Sequence, residues 1–167
     1  MGRILNPPKN PANLDLVYTP RELAKDIIDH FPLSGLILDP CKGDGAFYDQ
    51  YPNTCQKDWC EIELGIDFFD YHKNVDWIIS NPPWSKMREF INHSMEIGTN
   101  IVFLTTINHF MTKARMRSIF ANGYGFKEIY GVPQPKQNWP ASGFQLGAIH
   151  IQKDYKDSCI FTGKFGQ

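Results

Sequence analysis

Asn81-Pro82-Pro83-Trp84 closes an apolar run that begins at Asp76-Trp77-Ile78-Ile79-Ser80. Proline has no N–H to give to a strand ladder, and it pushes the residue before it out of the helical region. The run therefore reads as a buried strand that stops abruptly, with the Asn81 carboxamide and the following carbonyls facing outward. The carboxyl end of a parallel strand is where ligands bind in open α/β sheets. A carboxamide, a rigid proline carbonyl and a flat aromatic ring gathered there suit a planar group bearing an NH2. Taken alone, Pro-Pro-Trp reads equally well as a loop with a core tryptophan.

A second set of residues lies upstream. Leu36-Ile37-Leu38 forms a short apolar strand that runs into Asp39-Pro40-Cys41-Lys42-Gly43-Asp44-Gly45-Ala46-Phe47-Tyr48. Strand, glycine turn, then helix is the expected order, and it is the layout of a nucleotide-type ligand site. Glycines at 43 and 45 let the backbone approach a ligand closely. A dinucleotide fingerprint needs a third glycine where Tyr48 stands, so that reading fails. Asp39 at the strand end repels phosphate and welcomes a cation, so an ammonium or sulfonium ligand fits. Glu61, ending the next strand, suits a ribose diol or is a plain surface acid. Asp67 and Phe68 offer a hydrogen bond and a stacking face for an adenine ring, although Phe68-Phe69 also reads as a core pair. His109 falls at the end of the strand 100–106. Lys113, Arg115 and Arg117 form the densest basic cluster of the chain and are candidate phosphate contacts. Trp139, in the loop before the last strand, and Phe144, at the start of that strand, are placed to cover a substrate base.

These residues need elements to position them. Thr19, Pro20 and Glu22 form a capping box, which predicts a helix over 20–30. Apolar periodicity predicts helices over 86–97 and 112–122. Strands are expected over 36–39, 58–62, 100–106, 127–132 and 144–152, the last of them antiparallel. The stretch between Glu61 and Asp67 is too short for a helix, so a third strand is short there or its crossover is trimmed. Residues 1–17, with three prolines, read as an extended arm, 18–153 as one domain, and 154–167 as a weakly patterned tail.

With 42% hydrophobic residues, 14% aromatic and a net charge of -1 over 167 residues, a globular α/β domain is expected. No global basic field exists, so any nucleic-acid contact must come from a local patch. The four cysteines form no C-x-x-C pair and no histidine cluster accompanies them, so no metal is expected. No run reaches membrane-spanning length, and a soluble cytoplasmic protein is expected.

Tyr18-Thr19-Pro20, Asp39-Pro40-x-x-Gly43-x-Gly45-x-Phe47, Glu61, Asp67-Phe68 and Asn81-Pro82-Pro83-Trp84 together resemble the amino-methyltransferases that use S-adenosylmethionine. The nearest resemblance is to the N6-adenine DNA methyltransferases, over roughly 18–151. It implies a Rossmann-like fold: a mostly parallel seven-stranded sheet with one antiparallel strand and helices on both faces. It implies that Tyr18, Thr19 and Pro20 contact the methionine part of the cofactor. Asp39, Pro40, Gly43, Gly45 and Phe47 would line its methionine and sulfonium region, Glu61 its ribose, and Asp67 with Phe68 its adenine. Asn81, Pro82, Pro83 and Trp84 would be catalytic. DNA is the favoured substrate. RNA adenines and protein glutamine amides present the same planar NH2, and an idle nucleic-acid-binding subunit is the non-enzymatic alternative. The chain leaves no room for a target-recognition domain, so a specificity partner or self-association is expected. A small enzyme of this type suits a bacterial or phage-infected cell.

Overall fold

The computed structural model describes residues 17–167, and the arm expected over 1–17 lies, Val17 apart, outside them. The strands are β1 (Leu36–Asp39), β2 (Gln56–Trp59), β3 (Val75–Ser80), β4 (Gly98–Thr106), β5 (Tyr124–Gly131), β6 (Leu146–Lys153) and β7 (Ile160–Gly163). They form one sheet in the order β2-β1-β3-β4-β6-β5-β7. Strand β6 runs antiparallel to both neighbours, and every other pairing is parallel. The expected seven strands with one reversed are present.

Alternate residues of the central strands face opposite cores. Ile37, Trp77, Ile79, Val102, Leu104 and Ala148 point to one side, where α1 (Arg21–His30) seats Ala24, Ile27 and Ile28. Leu38, Ile78, Ile101, Phe103, Ile149 and Ile151 point to the other, beneath α2 (Met87–Ile97), with α3 (Lys113–Ala121) adding Ile119. A two-residue repeat inside wholly apolar runs is what a sheet covered on both faces requires.

Three local expectations are corrected. The glycine turn does not lead into a helix: between β1 and β2 the described chain has only a 3-10 turn, Tyr48–Gln50. Pro52 limits that connection, and Phe47 and Tyr51 bury their rings against the sheet where a helix would lie. Tyr51 fixes the arrangement by donating its hydroxyl to the Ile79 carbonyl at 2.5 Å. Second, the tail read over 154–167 carries β7, which pairs in parallel with β5 from Glu128↔Ile160 to Gly131↔Gly163. Its side chains are mostly exposed, so no buried pattern marked it in the sequence. Third, Thr19 does not cap α1. The helix starts after Pro20 with no side-chain cap, and the Thr19 hydroxyl faces Asn81 instead.

The parallel topology brings the carboxyl ends of β1, β3 and β4 to one edge of the sheet. The N-termini of α2 and α3 open on the same edge, because each helix follows one of these strands.

Candidate active site

The tips of β1 and β3 are stitched together. Ser80 Oγ donates to Asp39 Oδ1 at 2.7 Å, and the Cys41 amide donates to the same oxygen at 3.2 Å. Cys41 Sγ lies 3.4 Å from Ser80 Oγ and 3.5 Å from the Asn81 carbonyl. The second carboxylate oxygen, Asp39 Oδ2, is buried and has no hydrogen-bond partner. The Tyr48 amide faces this carboxylate without closing a well-formed bond to it. Burial raises the Asp39 pKa from 3.8 to about 7. The Ser80 and backbone donors oppose the rise, and the Glu61 charge adds to it. A buried acid with one orphaned oxygen is a natural partner for a cationic ligand.

Glu61 reaches the glycine turn from the end of β2. Its Oε2 accepts from the Gly43 amide at 2.6 Å, and its Oε1 accepts from the Glu63 amide at 3.2 Å. Gly43 sits at φ 55° and Gly45 at φ 86°, where side chains are strained. A Cβ on Gly43 would stand 3.6 Å from the Tyr18 ring, and one on Gly45 would strike the Asp49 carboxylate at 2.6 Å. Tyr18 is thus an exposed ring laid against the turn.

The Asn81 amide has a fixed orientation. The Trp84 indole N–H donates to Asn81 Oδ1 at 3.2 Å, and Asn81 Nδ2 donates to Thr19 Oγ1 at 3.1 Å. An indole N–H can only donate, so the atom facing it must be the amide oxygen. The same N–H also points at the Leu104 carbonyl, 3.3 Å away, which ties Trp84 to β4. A carboxamide oxygen has two lone pairs, and the indole occupies one. Pro82 is buried, and the Pro83 carbonyl accepts from Lys86 N to start the turn toward α2.

Tyr18, Thr19, Gly43, Phe47 and Asn81 line one narrow cleft of about 40 Å³, together with Cys41, Lys42, Asp44, Ala46 and Ser80. The glycine turn and the Asn81 tip are therefore joined. Pro20 borders the cleft's Tyr18-Thr19 wall at the start of α1, and Pro40 is buried behind the turn. Asp67 and Phe68 lie elsewhere. Asp67 Oδ1 caps the Phe69 amide at 2.9 Å. The Phe68 ring is 2% exposed and stacks on Phe90 at 5.1 Å, so it is the core member of the Phe pair and offers no face to the cleft.

On the far side of Asn81, Trp84 meets Trp139 edge-on at 5.9 Å and His109 at 5.7 Å. Phe144 is exposed on the loop that carries Trp139. Lys113, Arg115 and Arg117 follow on α3, whose N-cap Thr112 accepts from the Arg115 amide at 3.2 Å. Burial, and then the charge of Arg115, lowers the His109 pKa.

Sequence reasoning missed three residues. Ser80 orients Asp39, and its only signal was a hydroxyl at the buried end of a strand. Cys41 bridges the two strand tips. Ile62, directly after Glu61, is 64% exposed, an apolar face beside the acid.

The sequence matches no family profile, and no relative is found among curated proteins. Solved structures do share the fold. A candidate class I S-adenosylmethionine-dependent methyltransferase from Listeria monocytogenes superposes with TM-score 0.64 at 13% identity, covering 89% of this chain and 67% of that one. A candidate RNA methyltransferase from Pyrococcus horikoshii gives 0.60 at 14%, covering 87% and 91%. The tRNA m1G37 methyltransferase of M. jannaschii gives 0.58 at 15%, covering 84% and 52%. The chain has the Rossmann-like methyltransferase fold.

Proposed function

We propose that this protein transfers a methyl group from S-adenosylmethionine to an exocyclic amino group, with N6 of adenine in DNA as the favoured acceptor. The observation that carries this reading is the single cleft that joins the glycine turn to an Asn81 carboxamide of fixed orientation, beside a buried acid with an unpartnered oxygen.

The polar groups around the cleft suit those of the cofactor, whose bulk exceeds the cleft of about 40 Å³ and would extend over the exposed glycine turn. Asp39 Oδ2 lacks a donor, and the methionine ammonium would be one. Glu61 is already held against the turn and can accept from a ribose diol. Exposed Ile62 offers an apolar surface to the adenine ring, a role Phe68 is too buried to fill. Bound S-adenosylmethionine would supply an electrophilic methyl on sulfur.

The protein's own contribution is to the acceptor nitrogen. An adenine amino group is a poor nucleophile because its lone pair is delocalised into the ring. The free lone pair of Asn81 Oδ1 and the Pro82 carbonyl can each accept one of its hydrogens. Those bonds favour a pyramidal nitrogen and strengthen as positive charge develops there, which is transition-state stabilisation. Thr19 and Trp84 hold the carboxamide in place, so little reorganisation is needed. Trp84 and Trp139 present aromatic surface on which an extruded base can stack, at about 1–3 kcal/mol per base. No side-chain base is required, since the proton can leave to water after transfer.

Adenine in RNA is the second reading, favoured by fold neighbours described as RNA methyltransferases. The test is a tritiated-methyl assay on DNA, RNA and protein substrates with wild type and Asn81→Ala, alongside calorimetry with the cofactor. Loss of transfer with cofactor affinity retained is expected of the variant. Wild-type turnover in Asn81→Ala would refute the assignment, and the substrate arm that gains label identifies the acceptor.

A further inference from the structure

The basic residues near the site are not evenly spread. Arg88 lies in the first turn of α2, and Arg115 in the first turn of α3. Both turns open on the sheet edge that carries Asn81 and Trp84. Among the described residues, neither arginine forms an ion pair. Arg115 Nη1 is buried and has no hydrogen-bond partner. A guanidinium nitrogen withdrawn from water normally has an acceptor, because leaving it without one is costly. We propose that Arg88 and Arg115 clamp a backbone phosphate of an unpaired nucleic-acid strand and so deliver the adjoining base to Trp84 and Asn81.

The inference rests on the methyl-transfer reading and extends it to the path of the substrate. The first turns of α2 and α3 bring two cations to one sheet edge, where their charges oppose each other and an anion between them would relieve both. Burial, and then the charge of Arg88, lowers the Arg115 pKa, while Glu89 acts in the opposite direction. Exposed Glu89, beside Arg88 in the first turn of α2, makes no ion pair with either arginine among the described residues. His109 links the two halves of the path: it feels the charge of Arg115, and its ring lies 5.7 Å from Trp84. The order Arg88, Arg115, His109, Trp84 thus leads from cations to aromatic surface, which is the pairing that single-strand binders use for phosphate and base. A solvated helix face would also carry exposed arginines, but it would not bury a guanidinium nitrogen without an acceptor.

The test is fluorescence anisotropy with dye-labelled DNA and RNA oligonucleotides of mixed sequence, read across a salt series. Each lost phosphate contact should reduce the slope of log K against log salt by about 0.7 for a single strand. Arg88→Gln and Arg115→Gln should each show part of that loss and the double variant all of it, with weaker binding and unchanged cofactor affinity by calorimetry. Arg115→Lys should recover part of the slope. Lys156→Gln, on an exposed loop at the far end of the sheet, should bind as wild type. If Arg115→Gln fails to fold, exposed Arg88→Gln decides. Wild-type affinity and slope in Arg88→Gln, or no binding by the native protein, would overturn the clamp. Binding with the expected slope losses but no methylation of any nucleic acid would sustain the clamp and sink the methyl-transfer reading. Methylation with an unchanged KM in both variants would do the reverse.

Discussion

Asp39→Asn should stabilise the protein at alkaline pH while removing its ligand. The native carboxyl is buried, and its pKa stands at about 7 against an ordinary 3.8, chiefly because burial penalises the charged form. The folded state therefore binds a proton that the unfolded state has released between those two values. This group's contribution to stability is fully present below pH 3.8 and is lost as pH rises through 7. A shift of about three units, at about 1.36 kcal/mol each, makes the ionised buried carboxylate cost about 4 kcal/mol above pH 7.

Asparagine carries no charge at any pH. Its oxygen can keep the Ser80 and Cys41 donors, and its NH2 would take the unpartnered place of Oδ2. Burying that NH2 without an acceptor costs about 1–3 kcal/mol. The variant should therefore exceed the native protein by about 1–3 kcal/mol at pH 8 and fall below it at pH 4. With about 2–4 °C per kcal/mol for a chain of this size, the Tm difference should move by roughly 10 °C between those limits. Paired thermal melts in buffer without cofactor read this directly. Cofactor affinity, by calorimetry at pH 8, should fall roughly 10- to 100-fold, since a charge-assisted hydrogen bond is worth about 1.5–3 kcal/mol. Parallel Tm curves across pH would show that Asp39 does not titrate in this window, and unchanged affinity would remove it from the site.

Three further outcomes follow from the hydrogen bonds around Asn81 and from β7. Thr19→Val removes the acceptor of the half-buried Asn81 NH2, so stability should drop by about 1 kcal/mol, and Thr19→Ser should restore it in a denaturant titration. Trp84→Phe keeps an aromatic face but loses the indole donor; kcat should fall roughly 5- to 10-fold with cofactor affinity retained, the equivalent of about 1 kcal/mol of lost orientation. Truncation after Asp157 removes β7 and exposes the β5 edge, and should lower stability by about 2–4 kcal/mol; an unchanged melt would show that β7 is dispensable.

The parts of this protein that the sequence discloses are those where one residue type has one use. Apolar runs at 36–38, 77–79 and 101–104, too short for helices, read as strands covered on both faces, and all three lie in β1, β3 and β4 with every residue but Leu36 buried. Glycines at 43 and 45 mark a turn with positive φ, which the backbone has. Failures came where several elements could satisfy the same residues. A helix after the glycine turn was a reasonable expectation, yet Phe47 and Tyr51 cover that strand face with two rings, a choice made by tertiary packing. Thr19 fits a capping box by spacing, but its hydroxyl is taken by Asn81, 62 residues away. Strand β7 exposes most of its side chains, so no burial pattern announced it. Phe68 and Phe69 were indistinguishable by type, and only the position of α2 decides that Phe68 fills the core.

The electrostatics of the strand tips also account for an asparagine at 81. Asp39 and Glu61 already place two carboxyls around the glycine turn, and the Glu61 charge disfavours that of Asp39. Asp39 is linked to position 81 through Ser80 Oγ and Cys41 Sγ. An aspartate at 81 would put a third acid at the same two tips. Burial already holds Asp39 near neutrality, and another negative neighbour would push it further toward the protonated form that a cationic ligand does not favour. On the proposed reading the carboxamide would supply an acceptor for the substrate amino group without adding charge. It also supplies a donor, and Thr19 uses that donor to lock the oxygen's direction. Acceptor strength at 81 and cation affinity at 39 are thus kept compatible by leaving the charge on one of the two residues only.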